Sequence, residues 1–398
     1  MDDRELGRRI GYWRRRRKLT QAVFADRIGR SKSWLEKVER GERSAGRLSV
    51  LDVICEVLQV DLAALIGEEA QRMPQACLDD IEVERIRASL ERYTFDASAG
   101  GVPDPDVASL RRRLDHAWAA FEFADYQVMG TVLPDLLDVA QRAHAVLGSD
   151  ESAALLAEVY QVIASTLRKL GEHTLAWLAG DRGVVAAQRA GDLAAVAGAG
   201  FRIANALLSM GRAGQALTVN LSLADQLEPE SGAERLRALY GHVLLQGAMA
   251  AAALGDDGRA GELIAAARDV ARFVPVGNNH YRLAFGPVNV VLHEVAALVA
   301  LGENGRAVQI ADSISGEGLQ SLRKERRAAL MVDTARACSQ GGQRDEALQR
   351  LLAAEQIAAP EVRCRPVAQA AIADLLHRCH GSPSFALAGL AQRAGVRP

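Results

Sequence analysis

The run Thr20-Gln-Ala-Val-Phe-Ala-Asp-Arg-Ile-Gly-Arg-Ser-Lys-Ser-Trp-Leu-Glu-Lys-Val-Glu-Arg-Gly41 holds two helix starts and two helix stops. Thr20 and Ser31 are residues whose hydroxyls cap a helix N-terminus, and Gly29 and Gly41 end a helix at little steric cost. The spacing therefore predicts two short helices, over 21–28 and 32–39, joined by a tight glycine turn. Upstream, Arg4–Lys18 carries Leu6, Ile10 and Trp13 on one stripe, which predicts an amphipathic helix. Downstream, Leu48–Leu58 and Asp61–Ile66 complete a set of five. A short helix, a tight turn and a second short helix form a helix-turn-helix.

This segment is also the basic part of the chain. Met1–Ile66 holds 15 Lys/Arg against 10 Asp/Glu, whereas the whole 398-residue chain has 48 against 50 and a net charge of −2. A small basic head thus precedes a larger acidic body, which excludes nucleic acid coating the full length. The pattern T-Q-x-x-F-A-x-x-I-G-x-S-x-S-x-L-x-x-V-E-R-G resembles the Xre family, which shares its DNA-binding domain with the lambdoid phage repressors. Phe24, Ala25, Ile28, Leu35 and Val38 match that family's buried positions, and Gly29 its turn glycine. Val23 departs from it, where an acidic residue is common.

The resemblance implies binding to double-stranded DNA, with the third helix in the major groove and its first residues at base edges. Those residues are Lys32, Ser33, Trp34 and Lys37, with Ser31 at the same helix start. Lysine suits guanine O6 and N7, serine several bases, and an apolar ring a thymine methyl. Gln21 is placed at a phosphate beside a positive helix end, and Arg40 and Arg43 serve as phosphate clamps. For Trp34 a place in the core is the competing reading. The five consecutive basic residues Arg14–Lys18 fit either phosphate contact or a solvated helix end. One small head offers few base contacts, so a homodimer is expected.

Beyond the head, Gly67–Ala76 contains Met73-Pro74, Leu78–Tyr93 reads as one helix, and Asp96–Pro105 packs two glycines and two prolines into ten residues. The expected domains are 1–67 for DNA binding, 68–105 as a linker with one helix, and 106–398 as the effector and dimerisation body. In that body a Gly followed five residues later by Ala recurs as Gly171/Ala176, Gly211/Ala216, Gly255/Ala260, Gly302/Ala307 and Gly342/Ala347. Each glycine separates two apolar helical stretches, the pattern of stacked helical hairpins. The fold class expected is all-α: a five-helix lambda-repressor-like domain followed by an α-solenoid that resembles tetratricopeptide repeats. A repressor-type head with such repeats resembles actinobacterial and peptide-sensing regulators. Arg outnumbers Lys 43 to 5, which suits a high-GC genome.

A solenoid lines its concave face with equivalent positions of successive helices. Nine residues before each repeat glycine stand Val162, Arg202, Gln246, His293 and Asp333, and thirteen before stand His242 and Asn289 in two of the repeats. Arg202, Asn205 and Ser209 share a further face. These polar residues in Ala-rich helices predict a groove that hydrogen-bonds a small-molecule or peptide effector carrying an anionic group. The competing reading is polar groups satisfied between helices. The stretch Phe273–Pro287 interrupts the repeat, and its Asn279, His280, Tyr281 and Arg282 are candidates for one wall of the groove. The regulators it resembles carry a similar FGPxNV run, here Phe285–Val290; Phe285 in the core is the alternative.

Other classes find little support. His377, Cys379 and His380 cluster without a second ligand pair, so no metal and no cofactor is expected. No P-loop, dinucleotide fingerprint or nucleophile elbow is present, which argues against an enzyme. The five scattered cysteines form no disulfide framework, the charged N-terminus is no signal peptide, and the longest apolar run, Ala248–Leu254, is too short for a membrane span. The expected protein is a cytoplasmic, ligand-responsive transcription factor. The alternative is an interaction scaffold whose solenoid binds a protein partner while the head tethers it to DNA.

Overall fold

The computed structural model describes residues 3–16, 19–45, 48–58, 80–92, 106–228, 232–275, 277–379 and 383–396. The expected helix at Asp61–Ile66 and both glycine- and proline-rich connectors lie outside them. All regular structure among the described residues is helical. Contacts divide the chain into two compact units, Met1–Gln75 with Ile372–Pro398, and Ala76–Ala371.

The first unit contains α1 (Asp3–Arg16), α2 (Gln21–Arg27), α3 (Lys32–Glu39) and α4 (Leu48–Leu58). The caps fall where the sequence places them: Thr20 Oγ1 accepts from Val23 N and Ser31 Oγ from Trp34 N, both at 3.2 Å. Leu6, Ile10, Phe24, Ala25, Ile28, Leu35 and Val38 are all buried, together with Leu51, Ile54 and Leu58 of α4. Phe385, at the start of the C-terminal helix Phe385–Arg393, packs on this same core. The residues from Ile372 onward, grouped with the body by sequence position, therefore join the head through an apolar contact.

The second unit begins with α5 (Asp80–Glu91) and continues as antiparallel pairs: α6 (Val107–Glu122) with α7 (Tyr126–Leu147), α8 (Asp150–Lys169) with α9 (His173–Arg189), and α10 (Leu193–Ser209) with α11 (Ala213–Leu227). Then follow α12 (Glu234–Ala253) with α13 (Asp257–Ala271), and α14 (Pro287–Leu301) with α15 (Asn304–Asp312). After the short α16 (Gly316–Ser321) come α17 (Lys324–Gln340) with α18 (Arg344–Ile357), then α19 (Ala359–Arg363) and the start of α20 (Pro366–His377), whose residues from Ile372 onward belong to the first unit.

The five repeat glycines explain the hairpins. All have φ between +76° and +89°, a left-handed conformation that a β-carbon would strain. Each following residue donates its N–H to a carbonyl five residues back, as in Glu172→Leu167 and Arg212→Leu207, both 2.9 Å, which closes the helix end. The alanines five positions later, Ala176, Ala216, Ala260, Ala307 and Ala347, are at most 1% exposed, so each second helix sits close against the first.

Two features of this unit are not legible as repeats. Its late helices return to its early ones: Tyr126 Oη donates to Glu361 at 2.5 Å, and Lys169 bonds both Glu325 and Glu361. The stretch His280–Leu301 has the length and hydropathy of a membrane span, but it is interrupted at Gly286 and 61% of its apolar window is buried inside the unit. It is a core helix entered through a turn. Among the cysteines, Cys55, Cys338 and Cys379 are free thiols, while Cys364 is disulfide-bonded, a bond the scattered spacing does not announce.

Candidate functional site

In the head, the exposed surface of α3 is polar. Lys32, Ser33, Lys37 and Arg40 are exposed, and Ser33, Lys37 and Arg40 stand at i, i+4 and i+7 on one face. Lys32 reaches Glu36 at 3.4 Å, and Arg40 donates to the Glu36 carbonyl and pairs with Glu42. Arg43 is exposed beyond the helix end. Ser31 is exposed with its hydroxyl engaged in the cap. Trp34 satisfies parts of both readings: it is half-buried against the head core, and Arg30 lies 5.4 Å over its ring.

Glu39 ties the three helices together. Its carboxylate accepts from Arg14 Nε at 2.6 Å and from Gln21 Nε2 at 2.7 Å. Arg14 also donates to the Leu19 carbonyl, and is 8% exposed. Neither reading of the basic run holds for Arg14, because a buried carboxylate has claimed its guanidinium. The Gln21 amide, expected at a phosphate, is engaged by the same carboxylate.

In the second unit, α8, α10, α12, α14 and α17 line a half-open cavity of about 240 Å³. Arg202, Asn205, Ser209, His242, Gln246, His293 and Asp333 all line it, so the repeat register read from the glycines converges on one space. Val162, the equivalent residue of the first repeat, is instead fully buried in the apolar core. Arg202 is 6% exposed and held at its Nε and Nη1 by Ser165 Oγ, Gln161 Oε1 and the Gly198 carbonyl. Its guanidinium lies 4.4 Å from the Phe201 ring centre and 5.3 Å from that of Trp118. Burial, with Arg168 and Arg326 nearby, lowers it to about 9 despite Glu158.

Gln246 sits between two imidazoles. His293 Nδ1 lies 2.8 Å from the Asn289 carbonyl, so that nitrogen carries the proton and Nε2 accepts from Gln246 Nε2 at 3.2 Å. The second hydrogen of the same amide meets His242 Nε2 at 3.2 Å, which leaves the His242 Nδ1 proton buried without a partner. Burial holds both rings neutral: His293 falls to about 4, with Arg326 adding to the effect, and His242 falls well below its ordinary value.

The Phe273–Pro287 connection divides its residues among several tasks. Asn289 donates to the Leu283 and Ala284 carbonyls, so it pins the connection instead of facing the cavity. Asn279 bonds Glu122 at 2.6 Å, His280 bonds Glu234 at 2.7 Å, and Arg282 pairs with Asp115. Tyr281, Arg282 and Ala284 all have positive φ, a concentration of strain that this net of bonds sustains. Phe285 fills a slot over Gly241, where a β-carbon would stand 2.1 Å from the ring; it is 1% exposed and belongs to the core. Arg282 reaches the main cavity, while Asn279, Tyr281 and Arg282 border an adjoining hollow of about 560 Å³ that shares Trp118.

A helix-turn-helix domain model matches residues 5–65. The immunity repressor protein of Bacillus phage phi105 is 32% identical over 121 residues, a match spanning 28% of this chain and 83% of that protein. The chain belongs to the helix-turn-helix repressor family. Among solved structures, the apo form of ComR from S. Thermophilus is 12% identical, with a TM-score of 0.30 over 95% of this chain and all of that one. The apo form of the competence regulator ComR from Streptococcus vestibularis is 11% identical, with a TM-score of 0.25 over 94% of this chain and 98% of that one. Neither likeness is close enough to define a shared fold.

The sequence reading missed several cavity residues: Trp118, Phe121, Arg168, Lys169, Arg326 and Arg365. Burial lifts Glu325, yet Lys169 and Arg326 outweigh it and hold the carboxyl down at about 2. Lys169 itself is lowered by burial, against the pull of Glu325 and Glu361. One sequence signal was available: Arg168-Lys169 is a basic pair separated from the first repeat glycine, Gly171, only by Leu170, and Lys169 is one of only five lysines in the chain.

Proposed function

We propose that this protein is a DNA-binding transcriptional regulator whose tetratricopeptide-like body senses a small polar or peptide ligand with an anionic group. The observation that carries the reading is the coexistence of a repressor-type head with an exposed Ser33–Lys37–Arg40 face and a body with a half-open polar cavity. In this reading residues 1–67 bind double-stranded DNA, 68–105 link, and the residues from 106 form the sensing and dimerisation body. A homodimer in the cytoplasm reads two half-sites, and occupancy of the cavity alters DNA affinity. Lys32, Ser33, Trp34 and Lys37 address base edges, and Ser31, Arg40 and Arg43 address the backbone, while Gln21 braces α3 through Glu39. Arg202, Asn205, His242, Gln246, His293 and Arg282 face the ligand. Asn279, Tyr281 and Asn289 act indirectly by holding the connection in place. The body is a binding module without catalysis.

The test selects an operator from random DNA with the purified protein, then measures affinity by fluorescence anisotropy. Lys37→Ala should lose about 1–3 kcal/mol on the selected sequence and little on scrambled DNA. Arg43→Ala should weaken both alike and reduce the salt slope by about 1. Operator affinity unchanged by Lys37→Ala would refute the placement of α3 in the groove.

A further inference from the structure

Most charges around the cavity are matched. Lys169 is clamped between Glu325 and Glu361, both nearly inaccessible. Arg365 pairs with Glu361 at 2.8 Å, Arg326 with Glu325 at 3.3 Å, and Arg282 with Asp115. Two guanidiniums are different. Arg202 is held only by neutral oxygens, from Ser165, Gln161 and Gly198, which leaves its Nη2 with no protein acceptor. Arg168 has its side chain on the cavity and makes no hydrogen bond or ion pair among the described residues. The Asn205 amide and the Ser209 hydroxyl line the same space and likewise find no hydrogen-bond partner there.

Arg202 is buried and Arg168 half-buried, and neither has a carboxylate within hydrogen-bonding reach, an arrangement that is costly unless something completes it. Burial, together with the neighbouring Arg365, already lowers Arg168 to about 10. The wall also carries an apolar part, formed by Trp118, Phe121, Phe201, Leu208, Met249 and Leu292, beside the polar His242, Gln246, His293 and Asp333. The space itself, about 240 Å³, is below the roughly 300–1,000 Å³ of pockets for drug-sized ligands.

We propose that the ligand of this cavity is a small organic phosphate monoester, with its dianionic head on Arg168 and Arg202 and its apolar body against Trp118 and Phe201. The inference rests on the cavity being the sensing site, as argued above. A phosphate monoester carries nearly two negative charges at pH 7 and three acceptor oxygens, which matches two unpaired guanidiniums flanked by an amide and a hydroxyl. The apolar wall asks for an organic body that inorganic phosphate lacks.

The experiment uses the full chain with phenyl phosphate, inorganic phosphate and benzoate as probes. It reads thermal stability, affinity by calorimetry, and operator affinity by anisotropy. Phenyl phosphate should raise the melting temperature and bind at least about tenfold more tightly than benzoate, as expected for charge-assisted hydrogen bonds to a second guanidinium. It should also bind more tightly than inorganic phosphate, and its affinity should fall as the pH drops through about 6, where the second proton returns. Arg168→Gln should abolish these shifts without lowering the ligand-free melting temperature, since it removes a charge that makes no hydrogen bond or ion pair; a purely structural arginine would destabilise the fold when replaced. Arg268→Gln, on the exposed side of α13, should change nothing. Equal affinity for benzoate, or a phenyl phosphate shift that survives Arg168→Gln, would overturn the inference. If phenyl phosphate binds through Arg168 while operator affinity stays constant, the phosphate site stands and the sensing role falls.

Discussion

Acidification from pH 8 to pH 5 should destabilise the body through its two cavity imidazoles. His293 is 8% exposed and its value in the fold is about 4, set first by burial and then by Arg326, against 6.5 ordinarily. Between those values the unfolded chain takes up a proton that the folded chain refuses. A lowered imidazole is therefore neutral and harmless to stability above about pH 6.5, and stability is lost as the pH falls towards 4. At about 1.36 kcal/mol per unit the full gap approaches ~3 kcal/mol, of which about 2 kcal/mol is lost by pH 5. His242, lowered further still, adds with the same sign, and His144 and His173, more weakly shifted, persist as background. Among the carboxylates, Asp333, raised by burial, works in the opposite direction and regains stability as the pH falls. Glu325, held at about 2, gives up its contribution only as the pH falls below its ordinary 4.5. The assay is urea unfolding followed by circular dichroism at pH 8, 6.5 and 5, on the native chain and on a His242→Gln, His293→Gln double variant. The native midpoint should fall across the series and the variant's should fall much less. An equal fall in both, or a flat native profile, would refute the claim that these rings are held neutral by burial.

Two further outcomes follow from the packing. Lys169→Met strips the cation from between Glu325 and Glu361, and should cost about 3–5 kcal/mol in thermal or denaturant unfolding, as for other broken buried pairs; a loss below about 1 kcal/mol would mean that water reaches the pair. Gly241→Ala drives a methyl into Phe285 and should cost about 1–3 kcal/mol, with Phe285→Leu in the same background restoring part of it, and no recovery would show that the slot is not what positions the ring.

The head was legible almost residue by residue because its information is local. Caps, stops and apolar spacing all lie within a few positions of each other, and Thr20, Ser31, Gly29 and the buried set from Phe24 to Val38 are where that spacing puts them. What spacing could not reveal is competition for a side chain. Gln21 reads as a phosphate contact, and Arg14 as either a phosphate contact or part of a solvated helix end. Only the fold brings Glu39 to within 2.7 Å of both. The same holds for Asn289, which shares a helix face with His293 but turns its amide to the carbonyls of the chain preceding α14.

In the body, the repeat itself carried the information. A glycine that must take positive φ fixes the end of one helix, and an alanine five residues later fixes how closely the next one lies. Successive hairpins built to one rule present equivalent residues to one interior, so counting back from the glycines found Arg202, Gln246, His293 and Asp333 before any distance was known. Counting cannot find residues supplied by departures from the repeat. Trp118 comes from a pair ahead of the first repeat glycine, Arg326 from the start of a helix past the short α16, and Arg365 from beyond the last hairpin. The cluster of Tyr126, Lys169, Glu325 and Glu361 draws on helices up to 235 positions apart, and no periodicity links them. The regular elements thus set where the cavity is, while the irregular ones set its charge. Any search for the ligand must begin from that charge, since Arg168 lies six residues beyond the register position Val162 at which the repeat pattern points.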